Sequence, residues 1–118
     1  LFRAPSDAAD YLVAHVRPTE VIETWERELD ILTALRFHHP EQSLLARVHA
    51  HLYRGTGAGD YQLGDSYFSR VSPDWIVIGW YARTNGIYDE NYIAQHYQVA
   101  TAIGSGNARY DVYRRVVP

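Results

Sequence analysis

At 118 residues the chain is long enough to bury one core and too short for two independent ones. Three Trp, ten Tyr and three Phe supply large packing surfaces, which excludes wholesale disorder. All basic residues are Arg and the formal net charge is -3, which excludes the broad basic footprint of nonspecific nucleic-acid binding, while the absence of Cys excludes disulfides, thiolate zinc sites and thiol nucleophiles. One folded domain over residues 1–118 is expected, with no nucleic-acid partner.

In chain order, Ser6 is placed to cap a helix through Val16, which Arg17-Pro18 ends. Glu20 to Thr24 is a short β-branched run and predicts the first buried strand. Leu29, Ile31, Leu32 and Leu35 recur at a spacing nearer helix than strand, and a second strand is expected over Leu35 to His38, where Pro40 disfavours helix. From Glu41, the apolar residues Leu44, Leu45, Val48 and Leu52 predict a helix that stops by Gly55, followed by a loop to Gly64.

Asp65 can cap a short helix over Tyr67, Phe68 and Val71. Trp75-Ile76-Val77-Ile78-Gly79 is continuously apolar, as in a central strand buried on both faces by helices. Asp89 begins a helix to about His96. Tyr97 to Ile103 and Ala108 to Val116 then form an antiparallel hairpin around Gly104-Ser105-Gly106-Asn107. The expected class is α/β: a three-layer α/β/α arrangement with a small mixed sheet ending in that hairpin.

Ligands of open α/β sheets gather beyond the carboxyl ends of the strands. Three clusters follow the expected strands: Glu23, Trp25 and Glu26 after the first, His38 and His39 after the second, Trp80 and Arg83 after the third. Aromatic rings stack on sugar faces, Arg forks onto phosphate oxygens, and carboxylates accept from sugar hydroxyls, so these residues are the candidate ligand-binding set. His49 and His51, two residues apart on a helix, point about 200° apart and cannot share one ion. Neither a metal nor a cofactor is expected. Glu23 with Glu26, or Glu26 with Asp30, could pair as acid and base, but no Gly-x-Ser-x-Gly elbow or P-loop lysine is present, and no catalytic residue is assigned.

Four stretches, in this order, span nearly the whole chain: Val21-Ile22-Glu23-Thr24-Trp25-Glu26, then Arg36-Phe37-His38-His39-Pro40, then Ser72 through Gly79 leading to Trp80-Tyr81-Ala82-Arg83-Thr84-Asn85-Gly86-Ile87-Tyr88, and finally Ala108 through Arg115. Their order resembles the extracytoplasmic C-terminal region of bacterial membrane glycosyltransferases of the dolichyl-phosphate-mannose-protein mannosyltransferase type. The Trp-Trp-Asp-Tyr-Gly signature of oligosaccharyltransferases is not present.

The resemblance implies an accessory, non-catalytic domain at the outer face of the cell membrane. Its partners would be the membrane-spanning part of its own parent chain and a glycan or lipid-phosphate sugar, and the catalytic acidic residue would lie outside this stretch. A start at Leu1 without a charged, then apolar, leader fits a piece of a longer chain. No run approaches the roughly 18 apolar residues of a spanning helix, so the piece itself is expected to be soluble. Two other readings stay open: a free-standing sugar- or nucleotide-binding α/β module, and a small hydrolase or isomerase using Glu23, Glu26 and His38.

Overall fold

A computed structural model describes residues 3–41, 43, 46 and 62–116. Helix α1 (Ala4–His15) starts three residues before the position expected, with Arg3 at its N-cap in place of Ser6 and no side-chain cap, so Ser6 does not cap it. Pro5 accounts for the earlier start, because its fixed φ suits the first helical turn and its missing N–H is not needed there. Ala4, Ala8, Leu12 and Val16 recur every four residues and are all buried, giving the helix one apolar stripe.

Strand β1 (Val21–Thr24) follows, then the short helix α2 (Glu28–Leu32) and strand β2 (Arg36–His38). Of the apolar residues expected to form one face over this helix, Leu29 is buried, whereas Ile31 is 87% exposed. Five residues make barely more than one turn, so α2 can turn only one of them inward. The helix expected from Glu41 to Gly55, and most of the loop after it, lie outside the described residues.

Helix α3 (Asp65–Val71) has Gly64 at its N-cap, so Asp65 opens the first turn as a favourable charge and does not cap it. Strand β3 (Trp75–Ile78) is buried along its whole length, as its unbroken apolar run requires. A helix not anticipated from sequence, α4 (Trp80–Asn85), begins one residue after Gly79. In α5 (Glu90–His96) the Asp89 carboxylate accepts from the amides of Asn91 and Tyr92, which is the expected N-cap. Strands β4 (Tyr97–Ile103) and β5 (Tyr110–Arg115) form the closing antiparallel hairpin, and the turn between them uses Gly104 and Gly106 at positive φ.

The class is α/β. The five strands lie in the order β2-β1-β3-β5-β4, with β1 parallel to both β2 and β3, and β5 antiparallel to β3 and β4. Alternation along the strands divides the apolar residues into two cores. Ile22, Trp75, Val77, Tyr110 and Val112 pack with Ala8, Leu12 and Leu29 of α1 and α2. Ile76, Ile78 and Tyr113 pack with Tyr67, Phe68, Ala82 and Ile93 of α3, α4 and α5. Among the described residues no helix is long and apolar enough to cross a membrane.

This division sets a contrast in stability. Ile76 is fully buried at the centre of the sheet, so Ile76→Ala should cost about 2–5 kcal/mol through lost burial and an unfilled cavity. Ile31→Ala, at a solvent-facing position, should stay within about 0.5 kcal/mol. Urea unfolding followed by tryptophan emission measures both; equal losses would mean that the two-core arrangement is wrong.

Candidate functional site

The order β2-β1-β3 places the chain's reversal of direction at β1, and a crevice opens where the connections leave the carboxyl ends of β1 and β3 in different directions. The Thr24 hydroxyl shapes this edge by donating to the Val77 carbonyl and accepting from the Glu26 amide, which turns the chain back over the sheet. Glu26 is thereby carried inward and is 2% exposed. Its Oε1 accepts from the Tyr81 amide at 2.8 Å and its Oε2 from the Ala82 amide at 3.3 Å, so a carboxylate of the β1 loop closes the first turn of α4. A Cβ at position 79 would lie 2.5 Å from Glu26 Cγ, which is why the residue before α4 is glycine.

Beside Glu26 lies a hollow of about 370 Å³ between the start of α1, the start of α2, the start of α4 and the closing hairpin. Its walls include the Trp80, Tyr81 and Tyr110 rings and the Glu28 carboxylate. Trp80 is 51% exposed and Tyr81 44% exposed, which is unusual for rings of this size and leaves their faces available. Tyr110 donates its hydroxyl to Glu28 Oε2 at 2.6 Å, tying the hairpin to α2. Burial raises the Glu26 carboxyl above its ordinary value; the main-chain amides of Tyr81, Ala82 and Gly79 oppose that rise, and the neighbouring Glu28 charge adds to it.

Glu23 occupies a different place. Fully buried, it faces the α3 side, where the Tyr67 and Tyr88 hydroxyls donate to its Oε2 at 2.9 and 2.6 Å, and His38 Nδ1 lies 2.6 Å from its Oε1. Burial is the dominant cause of a raised Glu23 carboxyl, and the three hydrogen bonds pull in the opposite direction. His38 also lines a second cavity of about 350 Å³ together with Glu41, Tyr67 and Arg70.

The candidate residues therefore share one edge of the sheet without sharing one pocket. Glu26 and Trp80 line the hollow. Trp25 is half-buried, packs against the core on the α3 side with its ring 5.8 Å from that of Tyr81, and does not line the hollow. His39 sits with Nδ1 2.6 Å from the Thr24 carbonyl and Nε2 2.6 Å from Asp30 Oδ2, bracing α2 against β1. Arg83 spends its guanidinium on the carbonyls of Ile78, Asn107 and Arg109 and on the Asp111 carboxylate, which locks α4 to the hairpin and leaves little of it for a phosphate. Glu28 and Tyr110 were not anticipated: 82 positions separate them, and no local pattern links the two. Among the described residues no group of three His, Asp or Glu is arranged to hold a metal ion, and His49 and His51 lie outside those residues.

Glu23 and Glu26 both keep their protons to higher pH when folded than when unfolded. The folded chain thus binds more protons than the unfolded chain between the ordinary value of 4.5 and the raised folded values. Stability from these two groups is complete below that ordinary value and is lost as pH rises through the folded ones. The urea midpoint of Glu23→Gln should consequently fall less steeply with rising pH than that of the parent; parallel profiles would show that Glu23 titrates alike in both states.

Comparison with family models, with curated proteins and with solved structures finds no match for this chain.

Proposed function

We propose that the chain is an accessory, non-catalytic domain of a membrane-bound glycosyltransferase using a lipid-linked sugar donor, stationed at the extracytoplasmic face, and that the hollow beside Glu26 holds part of a saccharide. One observation carries the binding half of this reading. Two carboxylates and two half-exposed aromatic rings meet around a hollow of about 370 Å³ at the edge of the sheet where α/β folds bind ligands. Rings of this kind cover the apolar face of a pyranose, and carboxylate oxygens accept from its hydroxyls.

Three of the four stretches behind the glycosyltransferase resemblance supply the walls: Glu26 from the first, Trp80 and Tyr81 from the third, Ala108 and Tyr110 from the fourth. The second stretch contributes His39, which braces α2 and with it Glu28. An accessory role suits the chemistry of the hollow. It contains no serine, threonine or histidine, and main-chain amides already bind both oxygens of Glu26. Glu23, Glu26 and His38 do not line one cavity, so the hydrolase alternative lacks a common place for a substrate.

Titrating mannose, glucose and short oligosaccharides into the chain should change tryptophan emission and saturate with a dissociation constant of about 1 mM or below, corresponding to about -4 kcal/mol. Trp80→Ala should abolish the response while leaving the urea midpoint unchanged, because the ring is half exposed. Saturation that survives this substitution, or no response in the parent, overturns the binding reading. The glycosyltransferase reading is checked separately in the gene: hydrophobic segments of spanning length are expected before Leu1, and a frame opening at Leu1 overturns it.

A further inference from the structure

We infer that the hollow beside Glu26 selects an ammonium-bearing saccharide, an amino sugar, over neutral and anionic sugars of the same ring. This inference rests on the saccharide reading above and adds the charge of the ligand.

Apart from Pro5 and Ala108, every lining residue is a carboxylate or an aromatic ring, and no Arg or His is among them. Arg3 and Arg27 stand next to the hollow in sequence, at the starts of α1 and α2, but neither lines it. Arg83 and Arg109 both pair with the Asp111 carboxylate, at 3.0 and 3.1 Å. Two carboxyl groups, Glu26 and Glu28, close enough for the Glu28 charge to raise the Glu26 carboxyl, are left facing one space with no cation lining it.

The hydrogen-bond inventory points the same way. An ionised carboxylate only accepts, and offers about four lone-pair positions. Glu26 spends two of these on the Tyr81 and Ala82 amides, and Glu28 spends one on the Tyr110 hydroxyl. The remaining positions call for donors. A primary ammonium brings three donors and a full positive charge, whereas a sugar hydroxyl brings one donor and no charge. An acetamido group loses the charge, and a uronate carboxylate would be repelled.

The aromatic walls favour the same ligand. An aromatic face carries negative electrostatic potential, so a cation within about 6 Å of the ring centroid is attracted, most strongly by Trp. Trp80 and Tyr81 meet edge to face, with centroids 5.9 Å apart, and so present surfaces at a steep angle to each other. One can cover the pyranose while the other borders the ammonium. Because the hollow stays open to solvent beside Trp80, the electrostatic part of the selection should weaken with added salt.

The test is a set of titrations of the whole chain at pH 6 and low salt with glucosamine, N-acetylglucosamine, glucose, glucuronate and ethanolamine, read by tryptophan emission and by amide chemical shifts. Glucosamine should bind about tenfold more tightly than glucose or N-acetylglucosamine, and glucuronate most weakly. In Glu28→Gln, which can still accept from the Tyr110 hydroxyl, that ratio should shrink toward one. Equal affinities for the three uncharged or cationic sugars overturn the charge selection while leaving the saccharide hollow in place. Ethanolamine binding as tightly as glucosamine overturns the saccharide class, since charge alone would then be recognised. No binding by any of the five overturns both readings, and a ratio unchanged in Glu28→Gln overturns the role given to the carboxylate pair.

Discussion

Glu26 carries its carboxylate into a place almost without water, and a charge is tolerated there only where donors meet it. The donors are the Tyr81 and Ala82 amides, two of the groups that the first turn of any helix leaves unpaired. One contact therefore satisfies both a buried charge and a helix start. It also dictates its neighbours. Gly79 must lack a side chain to admit the carboxylate, and α4 must begin at Trp80, which sends two large rings to the rim instead of into the core. The hollow at this edge follows from how the charge was accommodated.

Strand β1, just before the loop that bears Glu26, carries a second buried carboxylate, solved in a different way. Glu23 has no helix terminus to receive it and relies on the side chains of Tyr67, Tyr88 and His38. These partners come from α3, from the segment before α5 and from β2, so the network ties three separate parts of the chain to β1. A buried polar group of this type is secure only while every partner is present; loss of one leaves a desolvated donor or acceptor, at about 1–3 kcal/mol each. Hydroxyl donors also leave the carboxylate less neutralised than a paired Arg would, which fits burial prevailing over hydrogen bonding and keeping the Glu23 carboxyl raised.

Arg83 and Asp111 show how a residue suited to ligand recognition can be drawn into the fold. A guanidinium just past a central strand has the chemistry to grip a phosphate. In place of a ligand it finds three carbonyls and a carboxylate from the start of β5, because the antiparallel register sets Asp111 opposite Ile78 at that edge. The result is a rigid junction between α4 and the hairpin, which holds Tyr110 and its hydroxyl over Glu28.

Periodicity and punctuation were enough to place most of the elements: the fully apolar Trp75–Ile78 strand, the Asp89 cap of α5 and the glycine-bearing hairpin each depend on residues a few positions apart, where local preferences dominate. Local rules also located the sheet edge at which the polar residues gather. They failed for α4, since Trp, Tyr, Arg, Thr and Asn have no strong common helix signal and this helix owes its start to a carboxylate 55 positions earlier. They failed too in dividing the candidate residues, of which Glu26 and Trp80 line the hollow, Glu23 and His38 face α3, and Arg83 serves the hairpin. Strand register decides which face a side chain takes and which distant partner it meets, and pairings such as Ile22 with Trp75 or Ile78 with Asp111 are made only when the whole sheet closes.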